Sequence, residues 1–257
     1  YRDSRILADS ISWNEDNTIN IDITLEEGRQ YIFGDIIYVG NKSYTDQQLN
    51  TLLKIEKGDV YNGSVLKERV TGDGSPSSQD IQTLYQNSGY LFSSVNAVET
   101  KVVNDSITVE IRIREDEKAT INKVSVIGND KTNDFVIYRE LRVKPGSLFS
   151  RDAIIRSIRE IGQLGYFDTN VTPDVKPNYQ DKTADIEFTV IEKGGSQIEL
   201  QGGYGGGSFI GTLGLSFNNF SVRNIFKKEA YKPLPMGDGQ SLSLRLQTSR
   251  TFNTYSF

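Results

Sequence analysis

A pattern of alternating apolar and polar residues opens each of two long stretches of the chain. It covers 31–39 and 120–127, and both copies stop at a Gly-Asn pair, where glycine supplies the turn dihedral angles at low cost. The alternation predicts a β-strand in each stretch. A short helix is predicted after each turn, with Thr45 as the N-cap of the first and Asn133 as the N-cap of the second.

A second helix is predicted most clearly in the later stretch. Apolar residues at helical spacing, from Ile154 to Ile161, predict a helix over 150–164. Ser150 is its predicted N-cap, and Gly165 its C-terminal glycine. Two alternating stretches joined by a polar turn follow it, so each unit is predicted to run strand, helix, helix, strand, strand.

The two stretches are copies of one repeat. The repeat depends on three pairs of turn glycines in matching positions: Gly40 with Gly128, Gly58 with Gly146, and Gly89 with Gly165. The first two pairs are each 88 positions apart, and the third pair is 76 apart. An inserted loop near 70–78, rich in Gly, Ser and Pro, accounts for the difference. Gly40, Gly128, Gly89 and Gly165 are therefore interpreted as structural turns.

The chain opens with what reads as the back half of a third copy. An alternating stretch runs to Trp13, and 19–25 alternates again before an acidic pair like those that close the other copies. We therefore expect residues 1–29 to be the C-terminal part of a unit whose front half lies upstream. Residues 30–117 are a complete unit and 118–194 a complete last unit. The acidic groups at the unit ends are assigned to solubility and junction contacts.

The pattern changes beyond residue 195. Glycine becomes frequent between 202 and 214, and strict alternation appears at 209–217 and 241–247. Apolar residues on one face and small or polar ones on the other, over roughly ten residues, are typical of transmembrane β-strands. An amphipathic sheet of a soluble protein is the alternative. Residues 195–257 are predicted to be the first three to four strands of an outer-membrane β-barrel, truncated by the end of the chain.

The composition excludes most catalytic chemistry. The 257 residues contain no His and no Cys, which excludes disulfides, thiol chemistry and metal sites built from nitrogen or sulfur ligands. We expect no enzyme, cofactor or metal site. The net charge is −5, divided into −8 over 1–195 and +3 over 196–257, and this acidic balance argues against a nucleic-acid partner. The glycine run at 202–207 lacks the Lys and Ser/Thr of a phosphate-binding loop.

Tandem units with these glycines resemble POTRA domains, and their place before a glycine-rich barrel onset is similar to the BamA branch of the outer-membrane-protein assembly family. The segments 218–221 and 233–239 resemble the first barrel turns of such proteins. The resemblance implies an α+β fold of POTRA units followed by antiparallel transmembrane strands. It also implies a place in the cell outer membrane, with residues 1–194 in the periplasm.

The same resemblance implies the partners. They are unfolded outer-membrane protein clients, accessory lipoproteins of an assembly complex, and outer-membrane lipid contacted by residues after 195. Two other assignments stay open: a two-partner secretion or autotransporter-assembly transporter of the same superfamily, and a soluble periplasmic scaffold of stacked α+β modules. A requirement for detergent separates the last class from the others.

The first candidate site is the backbone of an edge strand. The strand after the second helix is expected at the sheet edge, where it can pair with an incoming client strand without reading its sequence. The stretch 95–102 contains no proline. The positions assigned to client binding there are Val95, Ala97, Val98, Thr100 and Val102. An equally supported interpretation makes Glu99 and Lys101 charged gatekeepers that block pairing.

The matching strand of the last unit, 171–176, is predicted to be blunted, because Pro173 and Pro177 both lack a backbone donor and lie four positions apart. The second candidate site is the first barrel strand, whose seam is expected to receive the client's terminal strand. The positions assigned to it are Ile198, Leu200, Gly202, Gly203 and Tyr204. Its glycines either let the seam open laterally or only relieve crowding at a barrel end.

Overall fold

The computed structural model of the protein describes residues 2–168, 170–205, 207–228, 231 and 234–257. The chain divides into two compact units, residues 1–119 and 120–257. Gly206 and Pro233, which belong to the glycine run and to the predicted barrel turns, lie outside the described residues. Among the residues that are described, no helix is both long enough and apolar enough to span a lipid bilayer.

The first unit combines a hairpin with a three-stranded sheet covered by helices. Its elements are β1 (Arg5–Trp13), β2 (Ile19–Glu26), β3 (Ile32–Val39), α1 (Asp46–Leu53), α2 (Gly63–Thr71), α3 (Ile81–Asn87), β4 (Ser94–Val103) and β5 (Ser106–Arg114). β1 and β2 pair antiparallel with every residue exposed. The sheet has the order β3-β5-β4, with β3 parallel and β4 antiparallel to the central strand.

The core of this sheet lies between its inner face and the helices. Every second residue of β5 points inward, and Ile107 and Ile111 are fully buried. Leu49 and Leu53 of α1 and Tyr85 of α3 are buried in the same cluster. Burial is the main cause of the raised pKa of the Tyr85 hydroxyl, and the hydrogen bond from this hydroxyl to Glu115 raises the pKa further.

The unit has three helices, where the sequence predicts two. The insertion divides the second helix, because α2 ends at Thr71 and the Asp80 carboxylate starts α3 anew by accepting the Thr83 N–H at 2.8 Å. The loop therefore occupies 72–80, slightly later than the predicted 70–78. In the repeat alignment, α2 and α3 together take the place of one uninterrupted helix in the next copy.

The second unit begins with the other copy and continues into a larger sheet. Its elements are β6 (Thr120–Ile127), α4 (Asp134–Tyr138), α5 (Arg151–Gln163), β7 (Thr172–Asn178), β8 (Thr183–Thr189), β9 (Ser196–Gly205), β10 (Ser208–Phe220), a 3-10 turn (Val222–Asn224), β11 (Gln240–Ser249) and β12 (Asn253–Ser256). The first sheet has the order β6-β8-β7, as in the earlier copy. The second is an antiparallel sheet with the order β12-β11-β10-β9.

The predicted ends of α5 agree with the structure, and the predicted cap of α4 does not. The Ser150 hydroxyl accepts the Ala153 N–H at 3.3 Å, and Gly165 follows the helix at φ +83°. Asn133 stands at the N-cap position of α4, but its side chain makes no capping hydrogen bond. Its side-chain amide instead donates a hydrogen bond to the Asp238 carboxylate at 2.8 Å.

Candidate functional site

The turn after the first strand is the tightest point of each copy. Gly40 and Gly128 adopt φ +92° and +91°. A Cβ at either position would lie 2.0 Å from a backbone carbonyl oxygen, that of Ile113 in one copy and of Val190 in the other. Only glycine fits there, for both its dihedral angle and its contact. Gly89 and Gly165 also have positive φ, but they have room for a methyl group.

A carboxylate from the end of the last strand holds this turn in both copies. The Glu115 carboxylate accepts the Ser43 N–H at 2.7 Å and the Ser43 hydroxyl at 2.8 Å. In the second copy, the Glu192 carboxylate accepts the N–H groups of Lys131 and Thr132 at 2.9 and 2.7 Å. The acidic residues at the unit ends, which the sequence assigned to solubility and junction contacts, therefore include one that fastens the turn.

The structure places the first candidate site on an edge strand. Within the described chain, β4 pairs with β5 on one side and has no strand on the other. The Val95 side chain is buried, Ala97 and Val98 are half-buried, and Val102 is exposed. The pairing is interrupted between Glu99 and Lys101, so Thr100 forms a β-bulge. A bulge bends an edge and limits regular pairing to the residues before it.

Glu99 is occupied by contacts within its own unit. Its carboxylate accepts a hydrogen bond from Arg2 at 2.7 Å and one from the Tyr61 hydroxyl at 2.6 Å. Burial, and then this hydrogen bond, raises the pKa of the Tyr61 hydroxyl. Of the two charges that could guard the edge, Lys101 is the one that is exposed.

The matching edge of the second unit carries both prolines. Pro173 and Pro177 lie in β7, opposite Phe188 and Ala184 of β8. β7 has one strand neighbour within the described chain and forms the edge of its sheet. A proline cannot donate to a further strand, so this edge offers fewer donors than β4.

The residues of the second candidate site share one edge strand, β9. Ile198 and Leu200 are 77% and 82% exposed, and Tyr204 packs edge-on against Phe209 of β10 with ring centroids 5.2 Å apart. No atom lies within 4 Å of a Cβ added at Gly202 or Gly203. Crowding within the described chain therefore does not require glycine at these two positions.

The four-stranded sheet has one apolar face and one polar face. The aligned rows on the apolar face are Ile198, Leu215 and Leu244, and Leu200, Leu213, Leu246 and Tyr255. On the other face, the Arg245 guanidinium donates to Glu199 at 2.8 Å, across Gly214. Leu213 and Leu244 remain 39% and 43% exposed, and Leu215 and Leu242 are half-buried. The apolar face has no covering layer in the described chain.

A buried polar network joins the connection between β10 and β11 to the turn of the last repeat. The Asn219 amide donates to the Thr132 hydroxyl at 2.8 Å, and both residues are buried. The Asp238 carboxylate accepts hydrogen bonds from the Asn133 amide at 2.8 Å and from the Ser221 hydroxyl at 2.6 Å. We call these five residues the polar joint. Thr132, Asn219, Ser221 and Asp238 are buried and hydrogen-bonded, as buried polar groups must be, whereas Asn133 is exposed.

Two glycines let the backbone approach closely enough to form the polar joint. A Cβ at Gly237 would lie 2.8 Å from the Lys131 carbonyl oxygen, and the Asn133 N–H donates to the Gly237 carbonyl at 2.9 Å. A Cβ at Gly239 would lie 2.7 Å from the Tyr166 hydroxyl. From the sequence alone, these glycines are predicted only to form a turn. The sequence offered one signal for the polar joint: an Asn-Phe-Ser motif begins the long connection between β10 and β11, and a Gly-Asp-Gly motif ends it.

Comparison with known proteins identifies the repeat. The POTRA family, described as "Surface antigen variable number repeat", matches residues 31–116 and 119–193, which is more than half of the chain. A crystal structure of BamA from Haemophilus ducreyi lacking POTRA domains 1–3 has a similar fold, with a TM-score of 0.63 at 21% identity. The match covers 85% of this chain and 37% of that one.

Two curated relatives extend the similarity beyond the repeats. The outer membrane protein assembly factor BamA of Neisseria meningitidis serogroup B is 29% identical over 261 residues, covering 98% of this chain and 29% of the relative. BamA of Nitratidesulfovibrio vulgaris is 28% identical over 235 residues, covering 91% and 28% respectively. The chain thus spans less than a third of the length of these relatives. With two matching repeats over most of its first 193 residues, this chain belongs to the POTRA family.

Proposed function

We propose that this chain is the part of an outer-membrane protein assembly factor that connects its last periplasmic POTRA units to the first strands of its membrane barrel. The observation that carries the proposal is the apolar face of the β9–β12 sheet, which none of the described residues covers. Lipid would cover such a face, while the ladder satisfies the backbone groups. The names of the curated relatives support assembly rather than secretion.

In this proposal the partners are unfolded outer-membrane proteins, accessory lipoproteins and the outer-membrane lipid around residues after 195. Residues 1–194 lie in the periplasm. Clients are held by main-chain hydrogen bonds, which suit a class of substrates defined by strand formation and not by sequence. No covalent chemistry is needed, because folding into the bilayer releases free energy that the protein only has to make accessible.

Clients first pair with β4, in the segment before the bulge. That segment contains Val95, Ala97 and Val98, while Thr100 and Val102 lie at and beyond the irregular point. The client's terminal strand then pairs with β9, where Gly202 and Gly203 have room around their backbone. A bulky residue at Gly203 would make the backbone less adaptable, so Gly203→Val should slow client insertion and leave the POTRA units folded.

Flotation with lipid vesicles tests the membrane part of the proposal. The natural protein should float with the vesicles, and it should need detergent in their absence. Leu213→Asp with Leu244→Asp should abolish flotation, because each carboxylate on a lipid-facing surface is unfavourable, at a cost somewhat below the about 2–4 kcal/mol of Arg or Lys near the bilayer midplane. The matched control is Ser243→Asp, on the polar face of β11. A natural protein that stays in the aqueous phase would disprove this part.

Crosslinking to a bound client tests the edge assignment. A photoreactive residue at position 98 in β4 should crosslink an unfolded outer-membrane protein more strongly than one at position 175 in β7. The two positions occupy comparable edge strands, and they differ in the neighbouring prolines. Equal yields from the two sites would remove β4 as a specific binding edge.

We also propose that β1 and β2 belong to a further POTRA unit. Ile19, Ile21, Ile23 and Leu25 of β2 alternate as the buried residues of β5 do, yet all four are exposed. A helical layer from upstream residues would cover them. Hydrogen exchange of the β2 amides should slow when the preceding segment of the natural protein is present, and unchanged exchange would contradict the assignment.

A further inference from the structure

Residues 222–228, just after β10, form a short segment held firmly in place. The Ser221 hydroxyl accepts the Asn224 N–H at 3.1 Å, and the Asn224 amide donates to the Met236 carbonyl at 3.1 Å. The Val222 N–H donates to the Gln240 side chain at 2.8 Å. The Tyr231 hydroxyl donates to the Ile225 carbonyl at 2.6 Å. The backbone of the segment is therefore positioned by its surroundings.

This fixed segment presents apolar side chains to solvent. Phe226 is 96% exposed, Val222 58% and Ile225 37%. Three such residues within five positions expose a compact apolar patch, which is costly in water unless something covers it. The hydrogen bonds of Ser221, Val222, Asn224 and Ile225 hold the backbone that carries these side chains.

The charged residues within the segment are all basic, while Glu229 directly follows it in the sequence and Asp238 lies beside Arg223. Arg223, Lys227 and Lys228 lie in the segment, and it contains no acidic residue. The Arg223 guanidinium lies over the Phe135 ring, 5.7 Å from its centroid, and 3.9 Å from the Asp238 carboxylate. Lys227 and Lys228 are exposed next to Phe226. Aromatic and basic side chains together are the usual residues of a membrane–water interface.

We propose that residues 222–228 are an interfacial anchor that binds a phospholipid surface containing anionic lipid. Phe226 enters the acyl-chain boundary, and Lys227 and Lys228 contact the lipid phosphates. This inference rests on the proposed function, since it needs the β9–β12 sheet in the bilayer. β10 leads from its lipid-facing residues directly into the segment, at about 3.4 Å per residue. The polar joint at Asn219, Ser221 and Asp238 would then tie the last POTRA unit to this surface.

Photocrosslinking in the natural protein tests the anchor. A photoreactive phenylalanine analogue at position 226, in protein reconstituted in vesicles with a minority of anionic phospholipid, should give lipid adducts by mass spectrometry. The matched control is Tyr179, an aromatic residue of the last POTRA unit that is 68% exposed. Adducts to protein only at position 226, or equal lipid yields at both positions, would overturn the proposal.

The charge requirement is tested separately. Lys227→Gln and Lys228→Gln should each lower the lipid-adduct yield at position 226 roughly fivefold on anionic vesicles, and neither should change it on purely zwitterionic ones. Equal losses on both vesicle types would reject the phosphate contacts. If the protein floats and assembles clients but gives no lipid adduct at 226, the anchor is wrong and the proposed function stands. If the protein does not float, both fail.

Discussion

The two POTRA copies use the same turn for different purposes. In both, a glycine packs against the carbonyl of the last strand, and a glutamate from the strand end accepts hydrogen bonds from the turn. The copies diverge at the N-cap of the helix that follows the turn. Thr45 caps its own helix, in a reciprocal pair with Gln48, whereas Asn133 gives its amide to Asp238 of the polar joint.

The difference shows how a repeat acquires a connection without changing its scaffold. α1 has eight residues and a full capping box, while α4 has five residues and no side-chain cap. The last copy thus gives up a cap, typically ~1 kcal/mol, and gains a partly buried hydrogen bond to Asp238, which lies just before β11. The turn glycine and the glutamate are kept in both, because they maintain the unit itself.

Substitution of the turn glycines tests what the copies share and should have the largest effect. Gly40→Ala and Gly128→Ala should each destabilise their own unit by about 3–5 kcal/mol, from the positive φ and the clash with a backbone carbonyl. Hydrogen-exchange mass spectrometry reports each unit separately. Gly146→Ala is the control, because Gly146 also has a positive φ, +83°, but no atom lies within 4 Å of an added Cβ. This substitution should lower the free energy of unfolding by only ~1–2 kcal/mol.

Removal of Asp238 tests what only the last copy has. Asp238→Ala leaves the buried Ser221 hydroxyl and the exposed Asn133 amide without their acceptor, at a cost of about 1–3 kcal/mol that comes mainly from Ser221. Exchange should accelerate at 128–134 and 219–224, with no change in the corresponding turn of the first copy. Acceleration in both turns would show that the two are not independent.

Removal of the cap tests the other side of the divergence. Thr45→Ala should destabilise α1 by ~1 kcal/mol, because the Gln48 N–H loses its acceptor. Asn133→Ala removes the hydrogen bond to Asp238 and no capping hydrogen bond, so its effect on the exchange of α4 should match the loss of the polar joint alone. If Asn133→Ala and Asp238→Ala are additive, the two residues do not act through one contact.

The smallest effect concerns pH. Burial alone would raise the pKa of Glu115, but hydrogen bonds from the Ser43 N–H and hydroxyl and from Tyr85 outweigh it and lower the pKa below its ordinary 4.5. Glu115 therefore stabilises the first turn above about pH 4.5, and this contribution is lost as the pH falls through the lowered value. The protection factor of this turn, corrected for the intrinsic pH dependence of amide exchange, should fall in acid for the natural protein and stay nearly constant for Glu115→Gln, with a difference under ~1 kcal/mol.

Much of the fold followed from local patterns. The POTRA assignment, made from the Gly-Asn turns and the matching turn glycines of the two copies, is confirmed by the family match. Ser150 and Thr45 cap their helices as their spacing predicts. The division of one helix into α2 and α3 was missed, because the insertion carried its own N-cap, Asp80, inside a stretch that reads as loop. The roles of the β4 and β9 residues stay predictions.

The sequence by itself determined the repeat, the strand alternation and the turn glycines, since these depend on dihedral angles and on the order of residue types along the chain. The tertiary structure decided which polar side chains meet. Asn133 and Asp238 are 105 positions apart, and Glu192 reaches a turn 60 positions earlier. The energy of such contacts depends on which segments fold against each other, and no local spacing of residue types carries that information.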